Sequence, residues 1–331
     1  MIDKKIAVVI LNWNGAKLLE QFLPSVMAYS DEANIYVADN ASTDNSIAVI
    51  KELFPSVTII QNDGNYGFAK GYNIALQHVE EEYYALVNSD IEVTKDWLKP
   101  ILNSFDSEQN IGIIQPKILD YKNEHYFEYA GAAGGFIDQF GYPYCRGRIF
   151  DTIEKDKGQY DNDIEIFWAS GACFFIRKEI YRKLNGFDDD FFAHQEEIDL
   201  CWRAFNLGYK VNYTFQSVVY HVGGATLNES NPKKTFLNFR NSLLMLTKNL
   251  PENKLFLIIL VRLLLDGLAG VQFIFKGKFN HCWAIIKAHF AFYALINKTL
   301  KKRNAPQREN YYHSKCIVYK YFLKNGTVFE K

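Results

Sequence analysis

Four short apolar runs, each closing on polar residues and separated from the next by a helix-length stretch, constrain this chain more than any other feature of it. The runs are I-A-V-V-I-L-N (6–12), I-Y-V-A-D-N (35–40), V-T-I-I-Q-N (57–62) and Y-A-L-V-N-S-D (84–90). Continuous apolar runs of this length suit strands buried on both faces. The stretches between them, at about 16–29, 43–54 and 67–80, read as helices, the second with Ser42, Thr43 and Asp44 as candidate N-caps. Strand and helix in alternation predict an α/β fold with a mostly parallel central sheet. Ligands of such sheets sit beyond the carboxyl ends of the strands. Here Asn12 and Asn14, Asp39 and Asn40, Asn62, and Asn88, Ser89 and Asp90 form a polar crevice at that edge.

Several uses of such a sheet are excluded. The first turn is N-W-N-G, not the G-x-G-x-x-G of a dinucleotide site, and no G-x-x-x-x-G-K-[ST] phosphate loop occurs. A length of 331 residues with 48% hydrophobic composition is ample for a core and excludes disorder. Five scattered cysteines without a C-x-x-C pair exclude a zinc ribbon and fit a reducing compartment. The short apolar stretch before Asn12 is no signal-peptide core, so a mature, cytoplasmic N-terminus is expected. The net charge of -1 conceals an asymmetry: residues 1–225 hold 19 Lys and Arg against 33 Asp and Glu, and residues 226–331 hold 18 against 5. A basic tail suggests contact with something anionic, while the acidic body argues against nucleic acid as the partner.

Nine motifs in order then carry a specific resemblance: V-V-I-L-N-W-N-G (8–15), V-A-D-N-A-S-T-D-N-S (37–46), N-Y-G-F-A-K-G-Y-N (65–73), L-V-N-S-D-I-E-V (86–93), A-S-G-A-C-F-F-I-R (169–177), G-F-D (186–188), E-E-I-D-L-C-W-R (196–203), V-Y-H-V-G-G (219–224) and F-R-N-S-L-L (239–244). Over about residues 6–250 the chain resembles the family 2 glycosyltransferases of the GT-A fold, particularly the rhamnosyltransferase-like branch of bacterial cell-surface polysaccharide synthesis. The resemblance implies a GT-A catalytic domain over 1–225, with a nucleotide-binding half (1–105) and an acceptor and catalytic half (106–225). It implies inverting transfer of a sugar from a nucleoside-diphosphate-sugar to a hydroxyl of a lipid-linked or polysaccharide acceptor.

Residue by residue, the resemblance places Asn12, Trp13, Asn14, Asp39, Asn65, Gly67, Lys70, Asn73, Asn88 and Ser89 around the nucleotide and donor. Asp39 would accept a hydrogen bond from the base. Asp44, at a helix start, reads instead as a cap. Asn88-Ser89-Asp90 occupies the D-x-D position, so Asp90, with His221, would hold a divalent Mg²⁺ or Mn²⁺ ion, hard cations that prefer oxygen ligands and diphosphates. Glu197 stands where the family's catalytic base stands, with Glu196 the alternative, and Asp199 can pair with Arg203 one helical turn on. Trp168, Ser170, Gly171 and Ala172 would line the acceptor and donor sugar. The departures at Asn88 and Glu197 leave open a catalytically silent sugar- or nucleotide-binding scaffold of the same fold. An aromatic-rich stretch, Tyr121 to Tyr144, is either a sugar platform or ordinary packing.

The region 226–331 changes character. L-F-L-I-I-L-V-R-L-L-L-D-G-L-A-G-V-Q-F-I-F (255–275) is long enough to cross a bilayer, yet Arg262 and Asp266 sit in its middle. With 279–296 and the basic 298–303 it reads best as a hairpin lying on an anionic membrane through about residues 255–303. A spanning helix and helices packed on the body are the alternatives. The chain is accordingly expected to be cytoplasmic and monotopic on the inner face of the cell membrane.

Overall fold

The computed structural model describes residues 4–223, 231–303 and 306–330. Residue 224, at the end of the H-V-G-G motif, and the expected 225/226 boundary lie outside the described residues. The first half runs β1 (Ile6–Asn12), α1 (Ala16–Ala28), β2 (Ala33–Asp39), α2 (Ser46–Leu53), β3 (Thr58–Gln61), α3 (Gly67–Ala75), β4 (Tyr83–Asn88), β5 (Ile91–Val93) and α4 (Lys99–Ser107). All four apolar runs are strands, and all three intervening stretches are helical. The chain continues through β6 (Ile111–Asp120), four short strands β7 (Gly135–Ile137), β8 (Pro143–Cys145), β9 (Arg148–Ile149) and β10 (Thr152–Ile153), then β11 (Ile164–Ile166), β12 (Cys173–Arg177), α5 (Lys178–Lys183), α6 (Glu196–Asn206) and β13 (Lys210–His221). Helices α7 (Pro232–Asn249), α8 (Glu252–Phe275), α9 (Phe279–Lys301) and α10 (Ile317–Lys324) complete it.

The main sheet has the order β11-β13-β6-β12-β4-β1-β2-β3, with β5 added against β13. Strands β1, β2, β3, β4, β6 and β13 share one direction, and β5, β11 and β12 run against them. The sheet is covered on both faces, which is why the runs are apolar throughout. Along β1, Ile6, Val8 and Ile10 enter one core with α1 and α4, while Ala7 and Val9 enter the other with α3 and α6. Burying each such Val or Ile stabilises by about 1.5–3 kcal/mol.

The aromatic-rich stretch folds as the small antiparallel sheet β7–β10 and is mostly packing. Phe136 and Tyr144 lie against His313 and Phe329 from the C-terminus, and Tyr121 packs edge-on against Phe22. Among the aromatics named, only Tyr126 and Tyr129 are exposed.

The C-terminal helices share the core of the body: Leu243, Leu244, Met245, Leu246, Ile258 and Phe292 belong to the cluster that holds Tyr72 and Trp202. Helix α8 is inside out. Its charged residues Arg262 and Asp266 are 3% and 0% exposed, and its Phe256 and Phe275 are 81% and 88% exposed. Arg262 donates to the Phe140 carbonyl and the Ser242 hydroxyl at 2.8 Å each and lies over the Tyr142 ring, while Asp266 is 3.7 Å from Arg262 and 3.3 Å from His289. The polar residues that interrupt the apolar run are therefore the ones that dock the helix. Replacing Arg262 with Ala leaves Asp266 buried beside His289 alone, and unfolding in detergent should show a loss of about 3–5 kcal/mol. A loss below about 1 kcal/mol would contradict this docking.

Candidate active site

The carboxyl ends of β1, β2 and β4 form one side of the site. Asp39 is buried, and its carboxylate accepts from the Asn12 amide at 2.9 Å, from the Ser42 backbone N–H at 2.9 Å and from the Ser42 hydroxyl. It thus closes the turn after β2 as well as standing at the crevice. Asn14, in the left-handed region at φ 52°, accepts through Oδ1 from the Thr43 N–H at 2.7 Å and straps the first loop to the second. Trp13 projects from that loop with half its surface exposed. Asp44 accepts from the Ser46 N–H at the start of α2 and from the Ala16 N–H at the start of α1, so one carboxylate serves two helix starts.

The Gly-rich segment is shaped by a close approach. Gly67 has φ 73°, and a Cβ there would fall 2.6 Å from the Phe192 carbonyl oxygen, so glycine is required. Asn65 Oδ1 accepts from the Gly67 N–H, and Lys70 lies over the Tyr66 ring. Asn73, expected near the donor, is instead a clamp: its amide donates to the Phe187 carbonyl and Asp189 and accepts from the Phe187 N–H and the Tyr181 hydroxyl. Its hydrogen-bonding groups are all engaged by the protein.

Register brings Asp90 and His221 together. Strand β5 follows Asn88-Ser89-Asp90 directly and pairs with the end of β13, His221 opposite Ile91. His221 Nε2 then lies 3.1 Å from Asp90 Oδ1, and its Nδ1 is 3.3 Å from Glu128 Oε1. All three are buried. Burial alone would lower the imidazole pKa, but Glu128 and Asp90 outweigh it and raise it to about 10, so His221 is a cation between two carboxylates. Nothing in the sequence marked Glu128, which reaches the site from the loop after β6. Asn88 and Ser89 are half-buried, and the Asn88 N–H donates to the Ala172 carbonyl at 2.9 Å.

That bond leads to the second group of carboxylates. Gly171 follows Ser170 at the same bend, and a Cβ on it would be 3.7 Å from Glu197 Cγ. Trp168 and Ser170 are core residues rather than a lining: Trp168 is 3% exposed, covers Gly135 and donates to the Phe136 carbonyl, and Ser170 Oγ accepts from the Ala172 N–H. The buried Ala172 holds Asn88 through its carbonyl, and Gly171 lies beside Glu197. Glu196 and Glu197 open α6. Burial raises the pKa of both, Glu197 to about 7, and Glu197 adds repulsion on Glu196. One oxygen of each carboxylate has no hydrogen-bond partner, as is true of Gln195 Oε1 and His194 Nε2 just before them. Unpartnered buried polar atoms are costly and cluster where a ligand will complete them. Asp199 behaves differently: Arg203 at 2.8 Å and Lys248 at 2.9 Å hold its pKa low despite burial.

The loop before α6 is strained, with Phe192, His194 and Gln195 at φ 59°, 69° and 73°. Helix α7 holds it there. The Asn241 amide donates to the carbonyls of Phe191, Ala193 and His194 at 3.0, 2.9 and 2.7 Å, and Arg240 donates to those of Asp190 and Phe191. These two residues are the R-N of F-R-N-S-L-L, a motif visible in the sequence but without a role there. Asn241→Ala should cost about 2–4 kcal/mol, since three carbonyls lose their donor, and should expose residues 189–195 to proteolysis. Unchanged unfolding and cleavage would show that the loop holds itself.

The likeness to known proteins agrees with this layout. The model of "Glycosyl transferase family 2" matches residues 7–184. An N-acetylglucosaminyl-diphospho-decaprenol L-rhamnosyltransferase of Mycobacterium tuberculosis is 22% identical over 230 residues, covering 65% of this chain and 75% of that protein. The rhamnosyltransferase WbbL of Escherichia coli K12 is 24% identical, covering 64% and 82%. Among solved structures, S. aureus TarS 1–349 in complex with UDP-GlcNAc superimposes with TM-score 0.58 at 16% identity over 90% of this chain and 84% of that one. GalNAc-T7 with UDP, GalNAc and Mn²⁺ gives TM-score 0.60 at 16% identity over 76% and 49%. Those structural likenesses establish the GT-A fold. With its matched family model spanning more than half its length, the chain belongs to glycosyl transferase family 2 and is similar, within it, to rhamnosyltransferases.

Proposed function

We propose that this chain transfers a hexosyl or deoxyhexosyl group, with inversion, from a nucleoside-diphosphate-sugar to a hydroxyl of a sugar borne on a lipid-linked diphosphate, at the inner membrane surface. The observation that carries the reading is the placement of Glu197. Its carboxylate is half-buried, has an unpartnered oxygen and a raised pKa, and is joined through the 170–172 bend to Asn88-Ser89-Asp90. A base with a pKa near the working pH is suited to proton abstraction. Glu197 accepts the proton of the acceptor hydroxyl as that oxygen bonds to the anomeric carbon, and the bond from that carbon to the diphosphate breaks. Glu196, more buried and with its pKa raised by burial and then by Glu197, remains the alternative base.

On the other side, Trp13 is the exposed ring available to the base, and Asn12, Asn14 and Asp39 shape its pocket. Asn65, Gly67, Lys70, Asn88 and Ser89 lie along the donor path. Asp90 would hold a divalent ion through a carboxylate oxygen, and His221 would join it only by giving up its Nε2 proton to make room for the ion, with the remaining ligands left to the diphosphate. No cluster of three or more such ligands occurs among the described residues, which fits an ion retained mainly with its nucleotide. When bound, the ion would neutralise the charge developing on the leaving diphosphate. Glu128 would hold His221 in orientation from behind.

Helix α8 is the one described helix long and apolar enough to cross a membrane. Its inward charges and outward Phe256, Leu257, Leu264 and Leu268 support a helix lying in the interface instead.

Glu197→Gln should keep nucleotide binding and lose about 10²–10⁴-fold in transfer. In the unsubstituted chain kcat should rise with pH through about 7, because the base works deprotonated; the Gln variant should lack that limb. Full activity of Glu197→Gln would move the base to Glu196 or refute the mechanism. Calorimetry of UDP, dTDP and GDP with and without Mn²⁺ should show metal-dependent binding of one nucleotide, abolished in Asp90→Ala. If Asp90→Ala binds equally well, Asp90 is not the metal ligand.

A further inference from the structure

The tail's positive charge is not spent evenly. Helices α7 and α9 run side by side in the same direction: Thr235 meets His281 near their starts, and Arg303 just after α9 meets the Thr247 and Leu250 carbonyls at the end of α7. At that far end the cations are consumed by the body and by the tail itself. Lys248 and Lys302 pair with Asp188, Lys298 and Lys302 with Asp190, and Lys254 with Glu309. At the near end, Lys233 and Lys234 open α7, and Lys276 and Lys278 form the turn from α8 to α9. None of these four has a carboxylate partner among the described residues. Four of the tail's lysines without a carboxylate partner among the described residues are thus grouped at one end of the bundle, while Lys287 midway along α9 and Lys301 at its far end stand singly.

That end adjoins the catalytic loop. Lys233 Nζ lies 5.1 Å from the centre of the Phe192 ring, and burial, with a smaller part from the charge of Lys234, lowers the pKa of His194 to about 4 three residues before Glu197. Between the two lysine pairs is an open cleft of about 430 Å³ lined by Pro232, Gly277, Lys278, Phe279, Asn280 and His281. Its frame is fixed, because buried His281 bonds Thr235 at 2.7 Å and stacks on Phe273, joining the three helices. Its outer lip is apolar: Ile274, Phe275, Phe279 and Trp283 are all exposed.

We infer that this cleft, with Lys278 in its lining and Lys233, Lys234 and Lys276 close to lining residues in the chain, seats the diphosphate of the lipid-linked acceptor, with the lipid chain laid along the exposed apolar face of α8 and α9. The inference rests on the transfer reaction proposed above. Lys278 in the lining and the three lysines beside it answer the charge of a diphosphate, the apolar lip begins where a lipid tail would leave it, and the sugar on the other side of the diphosphate would face the loop that leads into α6 and Glu197. A bilayer surface alone explains less, since it would draw no distinction between the two ends of the hairpin.

Binding and turnover separate the two claims. Full-length protein is sedimented with phosphatidylcholine vesicles carrying a long-chain polyprenyl diphosphate, or phosphatidylglycerol at matched surface charge, with inorganic pyrophosphate as competitor. The polyprenyl diphosphate vesicles should bind at least tenfold tighter, and pyrophosphate should compete. At about fivefold per lysine near an anionic surface, Lys276→Gln with Lys278→Gln, and Lys233→Gln with Lys234→Gln, should each lose about 20-fold on those vesicles. Nucleotide binding should be unchanged in both, and Lys287→Gln with Lys301→Gln should lose little. Equal binding to both vesicle types, or equal losses on both, would overturn the site in favour of general attraction to anionic lipid. Lysine variants that bind polyprenyl diphosphate and turn over a lipid-linked acceptor normally would overturn the site while leaving the reaction intact. Diphosphate-specific binding with no turnover of any lipid-linked acceptor would uphold the site and overturn the reaction.

Discussion

The ammonium of Lys248 lies 2.7 Å from Asp188 and 2.9 Å from Asp199, with all three groups buried or nearly so. This contact joins the three parts on which the site depends: Asp188 begins the strained loop, Asp199 is in the first turn of the helix that carries Glu196 and Glu197, and Lys248 belongs to the C-terminal helices. A buried charge network is expensive to form and more expensive to break. It therefore acts less as a source of net stability than as a registration device, fixing the loop and α6 against α7. Beside it, Asn241 and Arg240 hold backbone carbonyls of the same loop. Without the helical tail, the loop that leads into Glu196 and Glu197 would lose these contacts.

The two families of carboxylates divide by what surrounds them. Asp188 and Asp199 are held low by lysines and an arginine, and are structural. Glu196 and Glu197, only one turn away, have no cation opposite them and rise. Identical chemistry at the start of one helix thus yields an ion-paired anchor and a pair of carboxylates with raised pKa, because α7 supplies Lys248 to one side of α6 and not to the other. The same separation governs Asp90, whose neighbour is His221, itself backed by Glu128.

The charge asymmetry of the sequence acquires two meanings in the folded chain. Part of the tail's excess of lysine is complementary to the acidic body and is consumed at the far end of the helices. Four of the remaining lysines, Lys233, Lys234, Lys276 and Lys278, stand together at the other end, near the loop that leads into α6. Composition records only the sum. Likewise the long apolar run of α8 reads from sequence as a helix with two misplaced charges, whereas in the structure Arg262 and Asp266 are its docking contacts and its leucines are left outside.

Much was legible in the residues. The four strands and the helices between them followed from periodicity, because a strand covered on both faces must be apolar throughout. Asp44 as a cap and the Asp199–Arg203 pair followed from local rules that operate within a few residues. The Asp90 and His221 meeting, 131 positions apart, was anticipated only through family resemblance, and depends on β5 turning back against β13. Glu128, Asn241 and Lys248 carried no local signal; nor did anything local show that Trp168 and Ser170, expected along the sugar, are buried, or that Asn73, expected at the donor, bonds the protein on every side. What the sequence by itself determined was secondary structure and the polar edge of the sheet, since hydrophobic period and capping are short-range. Which carboxylates were neutralised, which lysines stayed outward and which face of α8 met solvent were decided only by tertiary structure, because burial and charge pairing depend on residues brought together from distant parts of the chain.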